Sequence, residues 1–314
     1  MFMRPMFRLV PDGTTIKFMR GRFLGLAFSA LLSTASVILF FYPGLNMGID
    51  FRGGLVMEVH TTAPADFAAI RAALSAQGIN DAGLQRFGAD DALLLRMERD
   101  SSPAASAARV EKVRAALQKS SPGAQILRTE NVGASVSDEL RTNGYLALGI
   151  SLLMILVYIW FRFEWQFAVG AVVTLILDVT KTIGFLAITG IEFDLVMVAA
   201  ILTIIGYSTN DKVVVYDRMR ENLRKYKSMP LRELIDLSIN ETLNRTLGTS
   251  MTLFLAAVPL ALFGGAAISG FAWTMLFGIV VGTTSSIFIA APILLLLGEH
   301  RLRRDAQPPK PATK

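Results

Sequence analysis

Two acidic residues and two lysines lie inside apolar stretches that are long enough to cross a membrane. Asp178 and Lys181 follow one apolar run, and Asp211 and Lys212 follow another that begins at Leu195. Each ionisable side chain at bilayer depth costs about 2.5–3.5 kcal/mol on insertion scales, unless it is paired or hydrated. Chains keep such groups where they move an ion, bind a charged substrate or pair two helices. We take the movement of an ion as the leading hypothesis.

The spacing of these four residues constrains how they can pair. Lys181 is three residues after Asp178, on the same face of a helix, and can pair with it. Adjacent helical residues point about 100° apart, so Lys212 need not pair with Asp211. It can instead reach Asp178 across helices or extend to the nearer membrane surface. The two lysines therefore form either fixed salt bridges or a relay in which a lysine changes partner when an acid is protonated.

The composition is that of a membrane protein. Its 314 residues are 53% apolar, with a mean hydropathy of +0.48. There is no cysteine, and His60 and His300 lie far apart in sequence, so we expect neither a disulfide nor a metal centre. The sequence has no Walker motif, dinucleotide fingerprint or nucleophile–base pair, so we expect no cofactor, no ATP use and no enzymatic activity. The net charge of +6 follows from membrane topology, and we predict no binding of nucleic acid.

Six segments are apolar and long enough to cross about 30 Å of hydrocarbon. They are residues 23–42, 143–161, 167–188, 195–217, 246–264 and 271–297. Lysine and arginine concentrate before the first segment, between the fourth and fifth, and after the sixth. The positive-inside rule therefore predicts that both termini are cytoplasmic. Residues 1–22 form a cytoplasmic N-terminal segment in this prediction, and the proline-rich residues 298–314 form a disordered tail.

Residues 43–142 are predicted to form one external domain, which would be periplasmic in a bacterium. Leu55, Met57 and Val59 alternate with other residues, as in a half-buried strand. The segments that follow give the order βαββαβ, which indicates a small α+β domain of the ferredoxin-like type. Gly53 and Gly54 precede the first strand and predict a tight turn or a close approach of another segment. We expect this domain to be a contact module, since it carries no catalytic cluster.

Two further patterns lie on the predicted membrane part. Residues 230–245 carry an apolar stripe at every fourth position, which predicts an amphipathic helix lying in the cytoplasmic membrane interface. This helix would set the position of Arg245. Gly278 and Gly282 lie four positions apart, as GxxxG, and predict close packing between helices.

Several of these stretches resemble a known family. They are GIDFRGG at 48–54, YIWFRFEW at 158–165, GYS at 206–208, Asn210-Asp211, DRMREN at 217–222 and NRT at 244–246. Their order and spacing resemble the SecF family, the six-helix subunits of bacterial SecD–SecF protein-export complexes. The likeness covers nearly the whole chain. A single short external domain and six helices indicate SecF rather than SecD.

The resemblance implies partners and roles. SecF proteins pair with SecD beside the SecYEG channel, with SecA and YajC as further candidates. They use a proton or sodium gradient to promote preprotein export across the inner membrane. The family positions correspond to Asp211 as the leading proton carrier, Asn210 beside it, Arg245 as a charge partner and Asp178 as a second intramembrane acid. Membrane lipids surround such a subunit.

This chain departs from the family pattern at its lysines. The family has a small residue after Asn-Asp, where this chain has Lys212, and often a histidine before the acid of the third helix, where it has Leu177. Asp178 could therefore serve helix pairing, and Arg245 could be a membrane-surface anchor. Two other functions stay open. The chain could be half of a small-molecule exporter of the resistance-nodulation-division superfamily, although its external domain is small for that class, or a scaffold for SecD that carries no ions.

Overall fold

The computed structural model describes residues 10–297, apart from residues 12–13, 87–89, 99 and 101. The predicted tail at 298–314 and the first nine residues lie outside the described part. The helices are α1 (Arg22–Phe41), α2 (Ile49–Arg52), α3 (Phe67–Ala76), α4 (Pro103–Ser120), α5 (Ala134–Arg162), α6 (Trp165–Thr189), α7 (Leu195–Lys225), α8 (Leu231–Phe263), α9 (Gly265–Ser285) and α10 (Ala291–Leu296). The strands are β1 (Gly54–His60), β2 (Gly83–Arg86), β3 (Ala92–Met97) and β4 (Gln125–Val132). A 3-10 turn, Phe18–Gly21, leads into α1, and a π-helical turn, Ser286–Ala290, joins α9 to α10.

Six helical segments of the described chain are long and apolar enough to cross a membrane, as predicted. They are α1, α5, α6, α7, α8 and the run from α9 to α10. The second span differs from its prediction at its start, because α5 begins at Ala134 rather than at residue 143. Residues 134–142 are polar but contain neither glycine nor proline, so the helix extends beyond its apolar part. The external domain is shortened accordingly.

The amphipathic helix predicted at 230–245 is present, but it is not a separate element. One continuous helix, α8, runs from Leu231 to Phe263. Residues 231–247 contain neither glycine nor proline, so nothing ends the helix before the apolar span. The apolar stripe is buried against other helices of the bundle and against Met19 of the N-terminal segment. Its members are Leu231, Ile235, Ile239 and Leu243.

The external domain is a four-stranded antiparallel sheet with two helices. The strand order is β2-β3-β1-β4, with β1 paired to both β3 and β4. Leu55, Met57 and Val59 of β1 are fully buried together with apolar residues of α3 and α4, which confirms the predicted alternation. Helix α3 begins at Phe67 rather than near Pro64, because the Asp66 carboxylate caps it by accepting from two backbone N–H groups.

The helix bundle is closely packed where α1 crosses α6. Helix α1 presents Ser29, Ser33 and Ser36 to the bundle, and these short side chains let the helices approach. At Gly184 of α6 there is no room for a side chain, because an added Cβ would overlap Ser36, including its backbone Cα.

We therefore expect Gly184→Ala to destabilise the protein by about 1–3 kcal/mol, the usual cost of overpacking. Gly149→Ala on α5 is the matched control, because nothing lies within 4 Å of the Cβ that it would add. Thermal unfolding of both variants in detergent measures the difference. Equal unfolding midpoints for the two variants would contradict the packing described for α1 and α6.

Candidate functional site: two buried acids in the helix bundle

Asp178 is almost completely enclosed, at 1% exposure, where α6, α7 and the end of α9 meet. Its Oδ2 atom accepts hydrogen bonds from the hydroxyls of Ser208 and Ser285, each at 2.7 Å, and from the Lys212 ammonium at 2.9 Å. The Lys181 ammonium lies 3.7 Å from Oδ1. Asp178 therefore has two cations and two hydroxyl donors around one carboxylate, although its Oδ1 atom accepts no hydrogen bond from the described residues.

The helices bring this cluster together through simple spacings. Asp178 and Lys181 lie three residues apart on α6, and Ser208 and Lys212 lie four apart on α7, so each pair shares one helical face. Lys212 turns toward α6 and away from Asp211.

The close approach of α9 to α7 depends on the predicted glycine pair. An added Cβ at Gly282 would lie 3.1 Å from the Ser208 hydroxyl, and one at Gly278 would overlap Ile204. The glycines therefore bring Ser285, at the end of α9, within reach of Asp178. The prediction of a packing seam at Gly278 and Gly282 is confirmed.

Asp211 is also buried, at 3% exposure, but its surroundings are different. The hydroxyls of Thr246 on α8 and Ser286 of the π-helical turn lie near it. The Ser286 hydroxyl donates to the Gly282 carbonyl at 2.9 Å, and the Thr246 hydroxyl has no hydrogen-bond partner among the described residues. In the described part of the chain no ion pair joins Asp211 to a cation, and its Oδ2 atom has no hydrogen-bond partner. A buried carboxylate with so little compensation is a group that can exist in a protonated, neutral form.

The junction of α9 with the π-helical turn lies beside both acids, because Ser285 at the end of α9 contacts Asp178 and Ser286, the first residue of the turn, lies near Asp211. Pro292 follows this turn and lacks the N–H that would bond the carbonyl of Phe288 four residues earlier. Single π-helical turns are common at functional sites. The sequence analysis missed the turn and four hydroxyl groups beside the acids, those of Ser208, Thr246, Ser285 and Ser286. Pro292 within an apolar run was the available signal for the turn.

Asn210 and Arg245 lie apart from this cluster. Both side chains are exposed on the described chain, midway along α7 and α8. Within the described residues, no ion pair links Arg245 to Asp211, so this chain alone does not form the charge pair that the resemblance implied. An amide and a guanidinium on two helices long enough to cross a membrane would be costly wherever they faced lipid.

Hydrogen bonds join the N-terminal end of α7 to the segment that precedes the sheet of the external domain. The Gly48 backbone N–H donates to the Phe193 carbonyl at 2.9 Å, and the Asp50 carboxylate accepts from the Leu195 backbone N–H at 3.0 Å. Asp194 caps the same helix end through the Met197 N–H. Burial, with a contribution from nearby Asp50, raises the pKa of Asp194 above its ordinary value.

The two glycines that follow this hydrogen-bonded segment form the tight turn and the close approach that the sequence predicted. Gly53 and Gly54 have φ angles of +70° and +125°, in the region that favours glycine. A Cβ at Gly53 would also lie 3.1 Å from the Ser137 hydroxyl of α5. The pair therefore forms both a turn into β1 and a close approach to α5.

An ion pair adds a second link between the sheet and the helix bundle. Arg96 of β3 pairs with Glu192 in the loop between α6 and α7. Burial, with a contribution from nearby Arg52, lowers the pKa of the Arg96 guanidinium below its ordinary value. The external domain is thus held to the loop that starts the Asp211 helix.

We expect a double-mutant cycle of Arg96→Met and Glu192→Gln to give a coupling energy of about 1–2 kcal/mol, because the pair is largely enclosed. The exposed pair of Arg114 and Glu111, at 3.9 Å, is the control and should give about 0.3–0.5 kcal/mol. Unfolding of the four variants of each cycle provides both energies. A coupling at Arg96 no larger than that of the control would mean that this contact contributes nothing to holding the domain.

Comparison with known proteins assigns the chain to a family. Residues 112–300 match the family described as protein export membrane protein SecD/SecF, C-terminal, and residues 38–65 match the SecD/SecF GG motif. The chain belongs to the SecD/SecF family. The resemblance predicted from the sequence motifs is confirmed.

Individual relatives point to the SecF branch of this family. The chain is 44% identical over 301 residues to the protein translocase subunit SecF of Cereibacter sphaeroides, covering 94% of this chain and 93% of that one. It is 43% identical over 295 residues to the protein of the same name from Rickettsia akari, covering 94% and 96%. This SecF-family chain is therefore a multi-pass inner-membrane protein of protein translocation.

A solved structure shows the same architecture. The chain superposes on SecDF, described as a translocon-associated membrane protein from Thermus thermophilus, with a TM-score of 0.85 and 33% identity. The match covers 94% of this chain but 40% of that longer one. A second SecDF structure, in a form called super-membrane-facing, matches with a TM-score of 0.69.

Proposed function

We propose that this SecF-family subunit pairs with SecD and uses an ion gradient to promote preprotein export, with Asp211 as its ion carrier. The observation that carries the proposal is the contrast between the two buried acids. Asp178 pairs with two ammonium groups, whereas Asp211 has two hydroxyls nearby and forms no ion pair among the described residues. A buried acid of that kind can take up and release a proton at a cost that a conformational change can offset.

The exposed polar groups support a SecD partner. Arg245 and Asn210 lie on the surface of two adjacent membrane-spanning helices. A second helical half packed there would remove both from lipid and could supply an acid for Arg245. In this proposal Asp178 is a structural anchor, and Lys181 and Lys212 are its fixed partners rather than members of a relay.

The link between α7 and the external domain supports a route from ion binding to export. Neutralising Asp211 would change the packing of α7, and the contacts of Gly48, Asp50 and Arg96 would pass that shift to the sheet. We propose that this domain is periplasmic and ferredoxin-like, in agreement with its strand order, and that both termini are cytoplasmic. It would meet preproteins released by the SecYEG channel, with SecA and YajC on the same complex. The subunit itself would catalyse no chemical reaction.

The experiment is a translocation assay in inverted membrane vesicles that lack native SecF and contain SecD. Export of a preprotein is followed with and without a proton gradient, in vesicles that carry this chain and in vesicles that do not. The proposal expects the gradient to stimulate export only where the chain is present. Equal stimulation in both vesicle types would overturn it.

A further inference from the structure

We propose that the Lys212 ammonium occupies a monovalent-cation site inside the helix bundle and thereby excludes sodium ions from it. The inference rests on the proposed ion coupling through Asp211 and concerns a different position, the oxygen-lined space beside Asp178. Lys212 would then be a selectivity-determining residue, because the space that could hold a metal cation already holds a tethered one.

The ammonium lies in a cage of oxygen atoms. The Lys212 Nζ is 2.9 Å from Asp178 Oδ2 and 3.3 Å from the Ser208 backbone carbonyl, and it also bonds the Ser208 hydroxyl. Ser285 adds a second hydroxyl on the same carboxylate oxygen. An ammonium has three donors and finds three acceptors here. A carboxylate, a hydroxyl and a carbonyl are also the ligands that hard metal cations take in proteins.

The cage is built from fixed elements rather than from mobile side chains. Lys212 and Asp178 are each about 1% exposed, and Ser208 and Ser285 are equally enclosed. The glycine at 282 holds α9 against α7 beside Ser208. The oxygens would therefore keep their places if the lysine side chain were shortened, leaving a space where its ammonium lies.

Lys181 makes this prediction testable, because it remains a counter-charge for Asp178 after Lys212 is removed. Its ammonium is 3.7 Å from the other carboxylate oxygen, Oδ1, and forms no part of the cage around Oδ2. A variant without Lys212 would not leave Asp178 as a lone buried anion. A sodium ion could enter the vacated space with a carboxylate, a hydroxyl and a carbonyl as ligands.

Two variants separate the loss of charge from the opening of the space. Lys212→Ala removes the ammonium and empties the cage, whereas Lys212→Met removes the same charge but leaves a side chain of similar length. Each is purified as the complex with SecD, and its thermal unfolding is compared in sodium chloride and in choline chloride at equal ionic strength. A ligand that binds only the folded state raises the unfolding midpoint. We expect a sodium-specific rise of several degrees for Lys212→Ala and none for Lys212→Met or the unmodified protein.

Two results would overturn the inference: a sodium-specific rise in the unmodified complex, or none in Lys212→Ala. If Lys212→Ala yields no folded complex, the unmodified chain still provides a test, because its gradient-stimulated export must persist in sodium-free vesicles. Loss of that stimulation without sodium would also refute the idea. Failure of the proposed function is recognised separately, because it would abolish gradient stimulation but leave the sodium response of Lys212→Ala unchanged.

Discussion

Asp178→Ala is expected to prevent most of the protein from reaching its folded state in the membrane. The substitution leaves the ammonium groups of Lys181 and Lys212 buried without their carboxylate. Breaking a buried ion pair by removing one partner costs about 3–5 kcal/mol, because the remaining charge is unpaired and cannot return to water. The hydroxyls of Ser208 and Ser285 would lose their acceptor as well. Such a loss is a large part of the stability of an ordinary folded domain.

The yield of folded protein from membranes and its unfolding midpoint measure this effect. Asp217→Ala is the control, because the Asp217 pair with Arg162 is partly open to solvent and should contribute less than about 1 kcal/mol. Adding Lys212→Met to Asp178→Ala should recover part of the yield, since one of the two unpaired charges is removed. Similar yields for Asp178→Ala and the control would show that Asp178 does not anchor the bundle.

Hydropathy located the six spans, but it did not locate their ends. Hydropathy marks only where the apolar residues end, whereas a helix ends where its backbone hydrogen bonds stop. Helix α5 therefore begins inside the polar stretch at 134–142, and α8 absorbs residues that were predicted to form a separate surface helix. The apolar stripe of α8 was identified correctly. Periodicity alone does not tell whether such a stripe faces protein or lipid.

Within the site, contacts inside one helix could be predicted and contacts between helices could not. The pairing of Lys181 with Asp178 follows from a separation of three residues. The choice of Lys212 between Asp178 and the membrane surface depends on how α7 is rotated against α6, which the sequence left open. The roles of Ser285 and Ser286 also require the π-helical turn. The family resemblance predicted Arg245 as a charge partner of Asp211. Its side chain is instead exposed on the surface of α8, where a partner would be needed to cover it.

Asp211→Asn is expected to abolish the part of export that the gradient stimulates while leaving the complex with SecD assembled. Asparagine has the size of aspartate and fits the same space beside Thr246 and Ser286, but it cannot take up a proton. Removing Asp211 leaves no cation unpaired in the described cluster, since Lys212 is bound to Asp178. The substitution should therefore act on ion coupling and not on folding. Asp217→Asn, on the same helix and paired with Arg162, is the matched control.

The most direct measurement is preprotein export into inverted vesicles by the SecD complex of the unmodified chain, of Asp211→Asn and of Asp217→Asn, each with and without a proton gradient. Co-purification of SecD from the same vesicles confirms assembly. We expect Asp211→Asn to export at the rate seen without the gradient, while Asp217→Asn keeps the stimulation of the unmodified chain. Full stimulation in an assembled Asp211→Asn complex would contradict the role of Asp211 as ion carrier and would indicate that Asp211 has a structural role only.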